Sequence, residues 1–299
     1  MPALPPPPSI DAVASQRVLA RLARADAAPW LHQEVARRMA DRLKLFRQTP
    51  PSWVDWWAAL GGGAPAVAAV LPKARRQVAE PTEAFLQRSR LQARGAWWAR
   101  LGRPSVESHV VLQSALAPDA AQMVWANMML HLSPNPPQTL QQWHAALQVG
   151  GFLMFSTLGP ESLRELRGLY ADHGWPVPHA PFVDMHDIGD QLVQCGFADP
   201  VMDQERIVLT WSSPQALLTE LRGLGGNVAP QRSAGLRTPR WRERLHEALA
   251  ARADEQGRIR LGFEVVYGHA FKAPPRPGRG ETSVVSLESL RSKLKRDGA

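Results

Sequence analysis

The chain of 299 residues is 44% hydrophobic and 21% charged, enough for the core of one large or two ordinary domains, which excludes disorder throughout. Lys and Arg number 35 against 27 Asp and Glu, a formal charge of +8, so the field favours acidic partners without choosing among nucleic acid, anionic lipid and an acidic protein. No apolar run reaches the roughly 18–20 residues of a membrane span, MPALPPPPSIDAV lacks a secretory layout, and the lone Cys195 excludes an internal disulfide, so a cytoplasmic protein without membrane association is expected.

Residues 1–11 are proline-rich and form an arm with no helix or ladder. From Ala12 to Arg47 the pattern is helical, with Leu31, Val35, Met39, Leu43 and Phe46 on one stripe, until Pro50 and Pro51 stop it. The stretch from Trp53 to Leu86 then reads as strand, loop, helix, strand. An apolar run ends in Asp55, the cluster Gly61, Gly62 and Gly63 follows, then a short Ala/Val helix, then a strand ending in Glu80. In an open α/β sheet such a unit places a cofactor at the carboxyl ends of its strands, with the second acid on a ribose diol. GGGAPA also satisfies a shifted G-x-G-x-x-A pattern, which is a weak signal.

Further on, Pro81 to Leu91 reads as a helix capped by Thr82, and Ala93 to Pro104 as a turn in which Trp97 and Trp98 pack. Strands are expected at His109–Gln113, Met123–Asn127 and, after a break at Gly150 and Gly151, Phe152–Thr157; a helix spans Gln138–Leu147. Helices at Glu161–Asp172 and Met185–Cys195 precede a strand at 201–211. Helices at Pro214–Leu224 and Pro239–Ala253 form an excursion over 212–257 before the last strand, Ile259–Phe271. One doubly wound α/β domain over 12–272 is the economical reading, with a basic Pro/Gly-rich tail at 273–299. Ser162 in GPES is read as a cap, and the nine histidines show no metal-ligand spacing, so no metal is expected.

The opening unit, VWANMMLHL at 124–132, VGGFLMFSTLGPESLREL at 149–166, LRGLGGN at 221–227 and EVVYGHAFK at 264–272 together resemble class I S-adenosylmethionine-dependent methyltransferases. Within that superfamily the likeness is to the malonyl-ACP O-methyltransferases of biotin biosynthesis, from about Pro29 to Lys272. The resemblance implies a Rossmann-like α/β fold: a seven-stranded, mostly parallel sheet whose last strand is antiparallel, with the helical excursion before it. It also implies S-adenosylmethionine as cofactor, at Asp55, Trp57, Ala59, Gly61, Glu80, Gln113 and Asn127. Asp55 and Glu80 occupy the family's two acidic positions. Trp57 and Ala59 stand where members carry glycines, Leu112 and Gln113 where members carry an adenine-binding acid, and Ala121-Gln122 replaces a Phe-Asp entry to the fourth strand. S-adenosylmethionine stays the expected cofactor, and these departures leave weak or absent binding open.

Methyl transfer to a carboxylate needs no general base, so the lack of a triad does not count against it. His131, Tyr267 and His269 are the candidates for the acceptor side, and Arg222, Arg232, Arg237, Arg240, Arg242 and Arg244 for a surface that receives an acidic acyl carrier protein. The enzyme reading leads. A non-catalytic relative acting as a partner or regulatory subunit stands second, and an RNA methyltransferase third, with nucleic acid disfavoured because the tryptophans near the first strand suit packing. The oligomeric state is not legible.

Overall fold

The computed structural model describes residues 10–47, 49–95, 109–233, 235 and 237–274. Trp97, Trp98 and most of the arm and tail lie outside the described residues. Helices α1 (Ala12–Leu22) and α2 (Trp30–Leu43) lead in, and the stripe Leu31, Val35, Met39 and Leu43 is the buried face of α2. There follow β1 (Ser52–Trp56), the four-residue helical turn α3 (Ala58–Gly61), α4 (Ala64–Val70), β2 (Arg75–Glu80), α5 (Glu83–Gly95), β3 (His109–Leu112) and β4 (Ala121–Ala126). The second half comprises α6 (Pro136–Ala146), β5 (Leu147–Leu158), α7 (Arg164–Asp172), α8 (Met185–Gln194) and β6 (Phe197–Trp211). Helices α9 (Pro214–Leu224) and α10 (Pro239–Ala250) then precede β7 (Ile259–Lys272).

Local chemistry sets these boundaries. Side chains of Asp11, Asn135, Ser213 and Thr238 accept from the backbone N–H three residues on, which caps α1, α6, α9 and α10. Prolines open α6, α9 and α10, where the missing N–H has no partner to lose.

The sheet has seven strands in the order β3-β2-β1-β4-β5-β7-β6. All pairings are parallel except those of β7, which runs antiparallel between β5 and β6. Alternation along the strands feeds two cores. Val54 and Trp56 join one apolar cluster with α1, α6 and α8, while Trp53, Met123 and Trp125 join the other with α2, α7, α9 and α10. The chain reverses direction across the sheet between β1 and β4, and a crevice opens at the carboxyl ends of strands at such a switch point.

Several boundaries depart from the sequence reading, β6 among them, which begins at Phe197 rather than at 201. β5 begins at Leu147 and runs through the expected break, because Gly150 (φ +80°) and Gly151 absorb the register shift against β4; a Cβ on Gly151 would lie 2.6 Å from the Gln122 carbonyl oxygen. α7 starts at Arg164 rather than Glu161, because Leu163 takes a left-handed φ of 57°. Ser162 is not a cap: its hydroxyl donates to the Glu264 carbonyl and accepts from the Glu264 N–H, pinning the loop to β7. Gln113 leaves the third strand and opens a 3-10 turn.

Candidate active site

The crevice has two halves. The first lies over the ends of β1, β2 and β3, where Trp57, Ala59, Glu80 and Gln113 are joined by hydrogen bonds; Asp55 and Gly61 lie on either side of Trp57 and Ala59 in the chain, and Asn127 follows β4. Trp57, the residue after β1, has φ +56°, a left-handed conformation that glycine adopts freely and a tryptophan does not. Its indole is 2% exposed, and Nε1 donates to Gln113 Oε1 at 2.7 Å, so the ring spans the end of the sheet from β1 to the turn after β3. Glu80, at the end of β2, is fully buried. Its Oε1 accepts from the Ala59 N–H at 3.0 Å and from the Ser89 hydroxyl, while Oε2 has no partner among the described residues. Burial raises its carboxyl to about 7, against the pull of those two donors.

Asp55, 1% exposed, accepts two bonds from Arg76 at 2.6 and 3.0 Å; burial raises its pKa and Arg76 opposes the rise. Asn127, just past β4, spends its whole side chain inside the fold. Nδ2 donates to the carbonyls of His32 (2.8 Å) and Gly61 (2.6 Å), and Oδ1 accepts from the Ser156 hydroxyl (2.7 Å). The other two glycines serve internal contacts as well: a Cβ on Gly62 would meet the Ala28 Cβ at 2.6 Å, and one on Gly63 would meet Trp125 Nε1 at 2.4 Å.

The second half, beyond β4 and β5, is open. A cavity of about 310 Å³ lies among Leu31, Met128, Leu158, Leu166, Phe182 and Leu221, with Arg21, Arg222, His32, His131, His179 and Asn227 among its polar lining. Arg21 donates to the carbonyls of Arg222 (3.0 Å) and Gly225, the frayed carbonyl end of α9, where a cation is favoured. Among the described residues neither arginine has a carboxylate within ion-pair distance. His131 has Nδ1 3.3 Å from Thr157 Oγ1, and burial holds it down to about 3; His32, its buried neighbour on the same wall, is held down to about 4 by burial. Both rings are neutral at pH 7, so positive charge here comes from the arginines alone.

Of the three acceptor-side candidates, only His131 reaches this cavity. Tyr267 and His269 line a different one, about 440 Å³, with Arg42 and Phe46. Tyr267 there donates to Glu205 and lies under the Arg42 guanidinium. The arginines of the excursion also divide: Arg222 faces the cavity, Arg232 pairs with Asp11, and Arg237 lies 3.5 Å over the Trp241 ring. Sequence reasoning missed Arg21, His32 and Arg76. A histidine on the apolar stripe of α2 and an arginine opening a buried strand were the available signals.

The sheet order and the antiparallel β7 define a class I methyltransferase fold. Solved structures agree. A putative methyltransferase from Bacillus halodurans matches with a TM-score of 0.52 at 15% identity, over 79% of this chain and 99% of its own. The YcgJ protein of Bacillus subtilis matches at 0.53 and 10%, over 79% and 98%. No protein-family model matches the chain.

Within the class, the chain belongs to the malonyl-[acyl-carrier protein] O-methyltransferase family. It is 38% identical to the member from Laribacter hongkongensis, over 85% of this chain and 86% of that one. To the member from Gallionella capsiferriformans it is 34% identical, over 92% and 96%.

Proposed function

We propose that the protein is an O-methyltransferase that esterifies the distal carboxylate of a malonyl group held on an acyl carrier protein, with S-adenosylmethionine as the methyl source of its class, in biotin biosynthesis. The observation that carries the reading is the apolar cavity with Arg21 and Arg222 on its wall, in a chain of this family. A short acyl chain that ends in a carboxylate asks for apolar walls and a cation beside them, and the cavity supplies both.

The acceptor is already ionised at neutral pH, so the chain holds no proton for it. Arg222 orients the carboxylate by charge-assisted hydrogen bonds, and Leu31, Leu158 and Phe182 keep water from it. The neutral rings of His131 and His32 add no competing charge. The carrier is acidic, and the formal charge of +8 favours its approach.

The first half of the crevice does not fit S-adenosylmethionine as it is folded here. Trp57 covers the path a nucleoside takes from β1 to β3, and the acid on β2 is buried with one oxygen already bonded twice. This observation favours a second reading, a family member that binds the malonyl carrier without transferring a methyl group. Incubation of the full chain with malonyl-carrier and a large excess of S-adenosylmethionine, followed by mass spectrometry of the carrier, separates the two. Methyl ester on the carrier upholds transfer; a carrier that binds and stays unesterified leaves the second reading.

A further inference from the structure

We infer that this chain occludes its own donor site: the Trp57 indole and its bond to Gln113 stand where the nucleoside of the methyl donor would lie, so the donor binds only when that ring swings out. The inference rests on the family reading for the identity of the donor, and on the geometry for the occlusion.

Four observations converge on it. The switch point between β1 and β4 makes the carboxyl ends of β1 to β3 the expected ligand crevice, and a nucleoside placed there lies along the line from the loop after β1, past the acid on β2, to the end of β3. The Trp57 ring follows that line, bonded at its far end to Gln113 and almost without exposure. Second, Glu80 cannot offer a ribose diol an open face, because the Ala59 N–H and the Ser89 hydroxyl hold one oxygen and the other is enclosed. Third, the glycines after β1, which elsewhere let a ligand approach the backbone, are closed on by the protein: Ala28 against Gly62 and the Trp125 indole against Gly63. Fourth, the backbone at Trp57 keeps φ +56°, so a glycine conformation persists under a side chain that does not suit it. The loop is thus shaped as a ligand loop, and a side chain of this protein fills it.

The occlusion makes a quantitative demand. If the ring-out form is a minor population of a tenth or less, apparent affinity falls by that fraction, so removing the indole should tighten binding by at least about 10-fold. The experiment is calorimetric titration of the full chain with S-adenosylhomocysteine, which binds donor sites without turnover. Wild type should show no saturation in the micromolar range, Gln113→Ala a partial gain and Trp57→Gly/Ala59→Gly saturable binding, with circular dichroism as the check on folding. Saturation of wild type at low micromolar ligand, or a folded double variant that binds no better, overturns the inference. Should the double variant unfold, hydrogen exchange at the Ala59 amide of the wild-type chain decides. Protection unchanged by low-micromolar S-adenosylhomocysteine supports occlusion, and altered protection at that concentration contradicts it. The outcome is separable from the function above. A double variant that binds while neither chain makes ester upholds occlusion and sinks transfer, whereas tight binding by wild type sinks occlusion whatever the ester yield.

Discussion

At the ends of β1, β2 and β3 the crevice is packed with Trp57, Gln113 and Glu80, each bonded to another part of the chain; beyond β4 and β5 the same crevice opens into about 310 Å³ of apolar space with two arginines that lack a carboxylate partner among the described residues. The backbone plan is that of a methyltransferase on both sides of the switch point. The difference is one of side-chain volume and of hydrogen-bond bookkeeping. On the filled side Trp57 Nε1, Glu80 Oε1 and the Asn127 amide are all paired within the fold, so a ligand must displace bonds to enter. On the open side Arg222 is still short of a counter-charge, so a carboxylate gains a bond by entering. A fold can therefore keep the recognition of one substrate while it closes on the other.

The contrast can be broken from either side. The largest effect is expected from Asn127→Ala on the filled side, which deletes its bonds to the carbonyls of His32 and Gly61 and leaves the Ser156 hydroxyl without its acceptor; denaturant unfolding should show a loss of about 3 kcal/mol. On the open side, Arg222→Ala should weaken binding of malonyl-carrier by about 10–100-fold in calorimetry, and leave the carrier of the methyl ester, which has no charge to pair, unaffected. Equal losses for both carriers would show that Arg222 does not read the carboxylate.

Glu80→Gln sharpens the filled side. The Glu80 pKa is raised to about 7 in the fold from 4.5 unfolded, so the protonated form is favoured: its contribution is whole below pH 4.5 and is lost as pH rises through 7. The glutamine variant, uncharged throughout, should match wild type near pH 4 and exceed it by about 2 kcal/mol at pH 8 in thermal or denaturant unfolding. A variant no more stable at pH 8 would mean that the carboxylate is solvated and open to a ligand. The smallest effect concerns His131, held down to about 3 from 6.5, whose contribution is present above pH 6.5 and is lost as pH falls towards 3. His131→Gln should flatten the acid limb of stability by about 1 kcal/mol, a figure discounted for the water the cavity admits.

Much of the plan was legible in the sequence. Asp55 and Glu80 close two strands at the spacing of a cofactor unit, and those strands pair in parallel as expected. The hydrophobic runs that mark β4 and β5 are buried on both faces, which makes them easy to read. The departures lie where a long-range contact overrides a local signal. Gly150 and Gly151 carry a bulge instead of a break, since β4 pulls the strand start back to Leu147. Leu163 turns left-handed because Ser162 is tied to β7 a hundred positions away. For the site, the loss of glycine at 57 and 59 was visible, but not what replaced the ligand: the indole's partner is 56 positions on, and no spacing rule connects them. Tyr267 and His269 share a face of β7 with Phe263, which lines the cavity, but they pair with Ser156 and Met154, further from the end of β5, and sequence alone did not say how far along β7 the cavity reaches.

A crystal structure of the wild-type chain grown with excess S-adenosylhomocysteine tests the contrast most directly. The Trp57 indole should remain bonded to Gln113, with no nucleoside between β1 and β3. Adenosyl density along that line, with the Glu80 carboxylate turned to the ribose and the Gly61 to Gly63 loop unmoved, would contradict the account.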